Sequence, residues 1–214
     1  HIILNSVRHD NAKTPFRFAT PAEKRVELYG ALGSGVRGIS YWWYTPYDEF
    51  YGVGGKGEDA AALYREIGRL GAEARTVGPL LLDAAPVDLP VRAPARLWVR
   101  TLLSGQDSVV LFAVNEGIAS DRQGTVVVPI EKADLDVTLP GWLRAGDTFE
   151  VTAAGIRDLD WKDADGRVSL AFGRTRLTRL AVITRDASLR KRLSGDYSRL
   201  FASKAARLAE RGAE

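Results

Sequence analysis

A change of residue pattern near position 80 constrains the fold of this chain more than any other feature of its sequence. Before it, short apolar runs alternate with segments whose apolar residues recur at helical spacing. After it, short runs typical of β-strands follow one another about every ten residues, with turn residues between them. Alternating strands and helices favour a parallel sheet, whereas closely spaced short strands favour an antiparallel sandwich. The sequence therefore predicts an α/β portion followed by an all-β portion.

The α/β portion contains two predicted strands and two predicted helices. In chain order they cover 2–7 (strand), 20–33 (helix), 36–44 (strand) and 58–76 (helix). The first helix has the clearest start signal, because Thr20 can cap it, Pro21 suits its first position and Glu23 completes a capping box. A strand–helix–strand–helix order of this length predicts that the two strands pair in parallel.

Prolines separate the two portions, since Pro86, Pro90 and Pro94 interrupt every periodic pattern there. The predicted organisation is a βαβα portion over 1–82, a linker over 83–95, a β-sandwich over 96–185 and an amphipathic basic C-terminal helix over 186–214. The apolar stripe of that last helix consists of Leu189, Leu193, Tyr197 and Leu200. We expect this stripe to pack on the rest of the protein, because an isolated helix of this kind is not stable in water.

The apolar positions of the predicted strands define a predicted core. Alternate positions on a strand share one face of a sheet, so we expect a single core between the two sheets of the sandwich. It is predicted to contain Trp98, Val110, Phe112, Val114, Val126, Val128, Phe149, Leu170, Phe172, Leu180 and Val182.

Composition excludes several classes of protein. Apolar residues make up 45% and charged residues 27% of the 214 residues, which is typical of a globular chain. The chain has no cysteine, so thiolate chemistry and disulfides are excluded, while the compartment stays open. No stretch is long and apolar enough to predict a membrane span. We expect a soluble protein, extracellular or periplasmic if its parent carries a signal peptide.

The net charge of +3 resides in the last segment of the chain. Residues 186–214 hold seven basic and four acidic side chains, whereas the segments before them are nearly balanced. A nucleic-acid-binding domain shows a basic face on its folded body, and the balanced segments predict none. The sequence therefore predicts no nucleic-acid partner, and the basic tail is interpreted as a solvated helix face rather than a polyanion site.

The N-terminal residues predict that this chain continues a longer one. The chain opens at His1, and the apolar run 2–4 follows without a basic segment or a cleavage-site pattern, so this is not a signal peptide. We expect the C-terminal fragment of a longer protein. Parallel strands need both faces covered and their edges paired. We therefore expect the missing N-terminal segment, or another copy of the chain, to cover the strands 2–7 and 36–44.

A resemblance to a known family lies in residues 37–44, Arg-Gly-Ile-Ser-Tyr-Trp-Trp-Tyr, which follow the capped helix and the Gly-Ser-Gly break at 33–35. Together they resemble the last two βα units of a glycoside hydrolase (β/α)8 barrel, a TIM-type barrel, followed by a C-terminal β-sandwich. The resemblance implies that 2–7 is strand seven, that 36–44 is strand eight and that 58–76 is the closing helix. It also implies a glycosidase that acts on an oligo- or polysaccharide, with its main catalytic carboxylates upstream of this chain and no cofactor.

Substrate contacts are expected at the carboxyl ends of these strands, where such barrels place their chemistry. Aromatic faces bury the C–H groups of a sugar ring, while Asp, Asn and Arg side chains bond its hydroxyls. The predicted carbohydrate-binding residues are Asn5, Arg8, Trp42, Trp43, Tyr44, Tyr47 and Asp48. Neighbours on a strand point to opposite faces, so at most one of Trp42 and Trp43 can line a given site, and burial of both in the core is the alternative.

Catalytic residues are not identified in this sequence. Glycoside hydrolysis uses two carboxyl groups about 5–10 Å apart. The resemblance places one of them on strand seven, where this chain has Asn5. Asp48 and Glu49 are the carboxylates left near the predicted mouth of the barrel. The alternative function is therefore a non-catalytic glycan-binding or assembly module.

No metal site is predicted. His1, His9 and Asp10 are possible ligands, but a loop histidine near a chain end is more often inert. The acidic segment 158–165 lacks the glycine and glutamate that an EF-hand loop requires at fixed positions. The glycine-rich segment 52–57 lacks the spacing of a phosphate-binding loop.

Overall fold

A computed structural model of the chain describes residues 1–10, 15–45 and 50–210, and it combines three helices with mainly antiparallel sheets in those ranges. The helices are α1 (Pro21–Gly33), α2 (Glu58–Leu82) and α3 (Leu189–Glu210). The strands are β1 (Ile2–Asn5), β2 (Val7–His9), β3 (Ile39–Trp42), β4 (Phe50–Gly52), β5 (Ala84–Val87), β6 (Val91–Arg92), β7 (Leu97–Ser104), β8 (Ser108–Asn115), β9 (Ile118–Ser120), β10 (Thr125–Val127), β11 (Leu135–Thr138), β12 (Asp147–Thr152), β13 (Gly155–Asp158), β14 (Asp160–Ala164), β15 (Arg167–Ala171) and β16 (Thr178–Thr184). Across the described ranges, none of the helices combines the length and apolar character that a membrane crossing requires.

Helix α1 begins as its sequence predicts. The Thr20 hydroxyl accepts a hydrogen bond from the Glu23 backbone N–H, and the Glu23 carboxylate accepts one from the Thr20 backbone N–H. This reciprocal capping box satisfies two donors that the first turn of a helix leaves free. Pro21 occupies the first helical position, where its missing N–H costs nothing.

Helix α2 runs further than predicted, to Leu82 instead of residue 76. The helix continues through Gly78 and Pro79, two residues that usually interrupt a helix. A proline inside a helix costs about 3 kcal/mol. Here the residues around it, Val77 and Leu80 among them, are buried in a hydrophobic cluster, and their burial offsets that cost.

Strands β1 and β3 form a parallel pair, as the sequence predicts for 2–7 and 36–44. The register aligns Ile3 with Ser40 and Asn5 with Trp42. Ile2 and Leu4 pack against the cluster that the helices share, while Ile3 and Asn5 point to the other face. One face of this two-stranded sheet is thus covered by helices, and the opposite face is exposed.

The predicted linker over 83–95 contains two strands. Residues of β5 pair with β7 at the edge of one large sheet, and residues of β6 pair with β11 at the edge of another. The prolines are compatible with this pairing because both strands lie at sheet edges, where a missing N–H need not face a partner.

Most of the strands join two antiparallel sheets. The six-stranded sheet has the order β13-β12-β16-β8-β7-β5, and the four-stranded sheet has the order β14-β15-β11-β6. The Asp165-Gly166 turn joins β14 to β15, and both residues have positive φ, 54° and 86°, as a type I′ hairpin turn requires. Two short ladders, β2–β4 and β9–β10, lie outside these sheets.

Both faces of the six-stranded sheet are buried, so the predicted single core is wrong. All eight residues of β8 are buried. Val110, Phe112 and Val114 pack against α1, α2 and α3 in one cluster. Their neighbours Val109 and Leu111 pack against the four-stranded sheet in a second cluster. Alternation along the strand sends every second side chain to the helical layer, which the sequence did not predict.

The predicted core members divide accordingly. Leu170 and Phe172 lie in the cluster between the sheets, whereas Phe149, Leu180 and Val182 lie in the cluster under the helices. Val126 and Val128 are not core residues, since they are 68% and 52% exposed. The reason is that β10 belongs to the separate β9–β10 hairpin and to neither large sheet.

Helix α3 docks on the body of the protein, which confirms the expectation for the apolar stripe. Leu189 and Leu193 are buried in the cluster that contains α1 and α2. The Tyr197 hydroxyl donates a hydrogen bond to the carbonyl oxygen of Ala153, at 2.8 Å. Leu200 is 41% exposed, so the contact weakens toward the end of the stripe.

Candidate functional site

The exposed face of the β1–β3 pair holds two of the predicted sugar-binding residues side by side. Asn5 and Trp42 are register partners at the carboxyl ends of their strands. The Trp42 side chain is 53% exposed, and the neighbouring Ile3 on the same face is 57% exposed. A large exposed aromatic ring beside an amide group offers both an apolar platform and hydrogen-bonding groups.

Trp43 and Tyr44 follow directly after β3. The Ser6 hydroxyl accepts a hydrogen bond from the Trp43 backbone N–H at 2.9 Å, which fixes the chain where it leaves the sheet. The Trp43 ring is half-buried, and its centroid lies 5.4 Å from that of Trp42. Its indole N–H is buried and has no hydrogen-bond partner among the described residues. Tyr44 is 61% exposed and its ring lies beside that of Tyr64.

Two glycines, Gly52 and Gly54, have a packing role beside Tyr44. A Cβ atom at Gly52 would lie 2.3 Å from the carbonyl oxygen of Tyr44, and one at Gly54 would lie 2.7 Å from the Tyr44 ring. Only glycine permits so close an approach. Gly52 and Gly54 therefore allow their segment to pack directly against Tyr44.

Arg8 joins the β2–β4 ladder to the start of α2. Its guanidinium lies 4.6 Å from the centre of the Tyr51 ring, and it forms ion pairs with Asp10 at 3.1 Å and with Asp59 at 3.2 Å. Its predicted contact with substrate stays a prediction, since these partners already occupy much of the guanidinium.

A buried lysine lies beneath the carboxyl end of β1, and sequence reasoning missed it. The Lys24 side chain is fully buried, and its ammonium group donates to the carbonyl oxygen of Asn5 and to the Glu27 carboxylate. A buried charge is tolerated when it is paired and hydrogen-bonded in this way. Lys24 therefore fixes the end of β1 and holds Glu27 at the surface beside it.

An arginine anchors the β9–β10 hairpin beside the same strand end. Arg17 forms two parallel hydrogen bonds with the Glu23 carboxylate, at 2.7 and 2.8 Å, and it also donates to the carbonyl oxygen of Asp121. The hydroxyl groups of Thr20 and Thr125 lie 2.7 Å apart and add a second link. These contacts close one side of a groove of about 1080 Å³ that Asn5, Glu27 and Arg122 also line.

The ion pair with Arg17 holds the pKa of Glu23 at about 2, well below its ordinary value of 4.5. A depressed folded-state pKa adds stability that is present above pH 4.5 and is lost as the pH falls toward 2. We expect Glu23→Gln, which can keep the helix cap, to flatten this acid-induced loss. Urea midpoints between these pH values measure it, with Glu58→Gln as the control, because Glu58 is exposed. Parallel pH profiles of Glu23→Gln and the wild type would contradict the assignment.

Two predicted site residues and one further carboxylate candidate, Tyr47, Asp48 and Glu49, lie outside the described residues. The carboxylates that are described near the strand ends are ion-paired: Asp10 with Arg8, Glu23 with Arg17 and Glu27 with Lys24. Over the described part of the chain, no group of three His, Asp or Glu side chains is arranged to hold a metal ion.

Comparisons with known proteins find relatives at the level of structure. No protein-family model matches the chain, and no curated protein matches its sequence significantly. A cycloisomaltooligosaccharide glucanotransferase from Paenibacillus sp., solved with cycloisomaltoheptaose, is 10% identical with a TM-score of 0.54, over 78% of this chain and 27% of that one. The α-L-fucosidase isoenzyme 2 from Paenibacillus thiaminolyticus is 12% identical with a TM-score of 0.37, over 55% and 17%. A glycoside hydrolase family 30 subfamily 8 xylanase from Clostridium acetobutylicum is 13% identical with a TM-score of 0.47, over 79% and 41%.

The glucanotransferase defines the class of fold. Its match covers more than three quarters of this chain. This chain therefore shares its fold with a part of a carbohydrate-active enzyme. The chain spans less than half the length of each of the three proteins, and the likeness concerns the fold alone.

Proposed function

We propose that this chain is the C-terminal part of a carbohydrate-active enzyme, and that it binds glycan at the exposed face of the β1–β3 pair. In this proposal β1 and β3 are the last two strands of a (β/α)8 barrel, and the two antiparallel sheets form the β-sandwich that follows the barrel. The main catalytic carboxylates belong to the other strands of that barrel. The observation that carries the proposal is the exposed Trp42 ring beside Asn5 at the carboxyl ends of a parallel pair.

The incomplete state of the β1–β3 sheet supports the barrel. Among the residues that the structure describes, the sheet has two strands, each with an unpaired edge, and only one of its faces is covered. Parallel sheets occur almost only with both faces covered, and two strands alone are too few for a stable sheet. In a barrel the helices cover the outer face, as α1 and α2 cover Leu4 here, while further strands enclose the inner face.

The chemistry of the exposed face supports a sugar ligand. The Trp42 ring presents an apolar surface that fits the C–H face of a sugar ring, and the Asn5 side chain can donate to and accept from its hydroxyls. The Asn5 amide oxygen accepts a hydrogen bond from the Val7 N–H at 3.1 Å, which orients the amide. The Trp43 ring contacts the Trp42 ring at a tilt of 52°.

A second candidate function is a non-catalytic glycan-binding or assembly module. It is favoured by the ion pairs that already engage Asp10, Glu23 and Glu27. The intact mass of the parent gene product distinguishes the two candidates. A product whose translation begins within a few residues of His1 has no room for a barrel and favours the module.

The proposed site is tested by comparing Trp42→Ala with Trp142→Ala, since the two side chains are equally exposed, at 53% and 52%, and only Trp42 lies at the site. We expect Trp42→Ala to weaken binding about tenfold or more, because aromatic side chains that a ligand buries contribute a large share of the binding energy. Trp142→Ala should leave it unchanged. Affinity electrophoresis in gels that contain soluble dextran or xylan measures the retardation of each variant.

Two outcomes would contradict the proposal. The first is a wild-type chain that neither gel retards. The second is an equal loss of retardation in both tryptophan variants, since this would show that glycan contacts the protein surface without preference for the β1–β3 face.

A further inference from the structure

We propose that the groove between β2, α1 and the β9–β10 hairpin is an extended binding site for a neutral polysaccharide chain, which leads from Asn5 to Arg122. This inference rests on the proposed function, because Asn5 belongs both to the exposed β1–β3 face and to the wall of the groove. It adds to that function the course that a polymer takes over the surface of this chain and the residues that contact it there.

The walls of the groove come from distant parts of the chain. Asn5 and Arg8 contribute from the strand end, Glu23 and Glu27 contribute from α1, and residues 118–122 contribute from the hairpin. Arg17 holds the hairpin against α1, since its guanidinium bonds both the Glu23 carboxylate and the Asp121 carbonyl oxygen. A wall held by charge-assisted hydrogen bonds is a preformed surface, and preformed surfaces bind with little loss of conformational entropy.

The size of the groove fits several linked sugar units. Its volume of about 1080 Å³ lies at the upper limit of the ~300–1,000 Å³ typical of pockets for single small ligands. The groove continues from the strand end onto the hairpin of the all-β portion. A ligand that fills it has to be longer than the sugar that contacts Trp42.

The charges in the groove favour a neutral ligand. Arg8 is paired with Asp10 and Asp59, Arg17 with Glu23, and Glu27 with the buried Lys24. Paired groups of opposite sign cancel at a distance, and the two further charges in the wall, on Asp121 and Arg122, are opposite in sign. The groove therefore attracts neither a polyanion nor a polycation. They still present polar atoms to the solvent, and these atoms can bond the hydroxyl groups of a sugar.

Two further side chains that line the groove, Arg122 and Phe16, remain available for contact with a ligand. Arg122 is exposed and forms no hydrogen bond or ion pair with another described residue, and Phe16 lines the groove with 41% of its surface exposed. An aromatic ring and a free guanidinium provide the same two kinds of contact as Trp42 and Asn5 at the strand end. The groove thus offers sugar contacts from the strand end, from Phe16 and from the hairpin.

The experiment measures affinity as a function of glycan length. Isothermal titration of the full chain with isomalto- and xylo-oligosaccharides, from disaccharide to octasaccharide, should show affinity that rises with length for one of the two series. Arg122→Ala should weaken binding of the octasaccharide about fivefold and leave disaccharide binding unchanged, since one exposed hydrogen-bonding contact is lost. Arg75→Ala is the matched control, because Arg75 is an exposed arginine on α2 outside the groove.

Each result distinguishes the inference from the function on which it rests. Equal affinity for short and long glycans, with a loss in Trp42→Ala alone, would overturn the extended site and leave the proposed function standing. Tighter binding of polygalacturonate than of any neutral glycan would overturn the neutral-polymer class. If no glycan of any length binds, the proposed function fails and the extended site fails with it.

Discussion

Replacing Phe112 by alanine is expected to lower the free energy of unfolding by about 3–5 kcal/mol, whereas Val126→Ala is expected to change it by less than about 0.5 kcal/mol. Phe112 is fully buried between the six-stranded sheet and the helices, and its ring meets the Tyr29 ring edge-on at 5.6 Å. Val126 is 68% exposed on the β9–β10 hairpin. Urea denaturation followed by circular dichroism gives both values, provided that the m-value stays constant.

The comparison tests the helical layer, because the two residues were equivalent members of the core that the sequence predicts. A cost below about 1 kcal/mol for Phe112→Ala would show that α1 does not cover this face of the sheet. Phe112→Leu is the graded control and should cost less than the alanine variant, since it leaves a smaller cavity. A loss in Val126→Ala equal to that in Phe112→Ala would show that the hairpin packs against protein.

Local chemistry explains what the sequence predicts well. The capping box of α1 depends on residues within one turn of each other, and the structure contains it at Thr20 and Glu23. The strand β8 is marked just as locally, because turn residues flank a continuous apolar run. Such signals do not depend on the rest of the fold.

The assignment of faces could not be predicted in the same way. Residues 109–114 of β8 are all apolar, so the sequence carries no alternation that would show which side chains face which layer. The C-terminal end of α2 could not be predicted for a similar reason. Pro79 signals a break locally, and only the packing of the neighbouring residues outweighs it. Both differences arise where tertiary contacts decide between local alternatives.

The candidate site likewise contains contacts that the sequence predicts and contacts that it does not. Asn5 and Trp42 can be placed together from the sequence, because parallel strands bring their carboxyl ends to one edge. The link between Arg17 and Asp121 joins residues 104 positions apart, and no spacing in a single sequence indicates it. The buried position of Lys24 is equally hidden, because a lysine on a helix predicts an exposed side chain.

A buried ion-pair cluster joins α1 to α2, and we expect a substitution in it to lower the free energy of unfolding strongly. Arg25 on α1 donates to Glu66 at 2.6 Å and to Glu73 at 2.8 Å, and both carboxylates are more than nine-tenths buried. The Tyr29 hydroxyl also donates to Glu73, at 2.8 Å. The pKa of Glu73 is nevertheless raised above its ordinary value, because burial outweighs the opposing effect of Arg25. The charged form of the Glu73 carboxylate thus depends on Arg25.

Arg25→Met is therefore expected to cost about 3–5 kcal/mol at pH 7, because it leaves the buried Glu73 carboxylate without its cation. Without Arg25 the folded-state pKa of Glu73 rises further above its unfolded value. Stability is then greatest below the unfolded pKa and is lost as the pH rises, so the cost of the substitution should be smaller at pH 5 than at pH 8. Urea denaturation at each pH measures this difference.

Two further variants make the result specific to the buried cluster. Adding Glu73→Gln to Arg25→Met should recover part of the loss at pH 8, since the double variant removes one of the uncompensated charges. Arg65→Met breaks an exposed pair with Glu58 and should cost less than about 1 kcal/mol at either pH. A cost of Arg25→Met that does not vary with pH, or that Glu73→Gln does not relieve, would mean that Arg25 stabilises the helix pair by packing of its side chain and not by its charge.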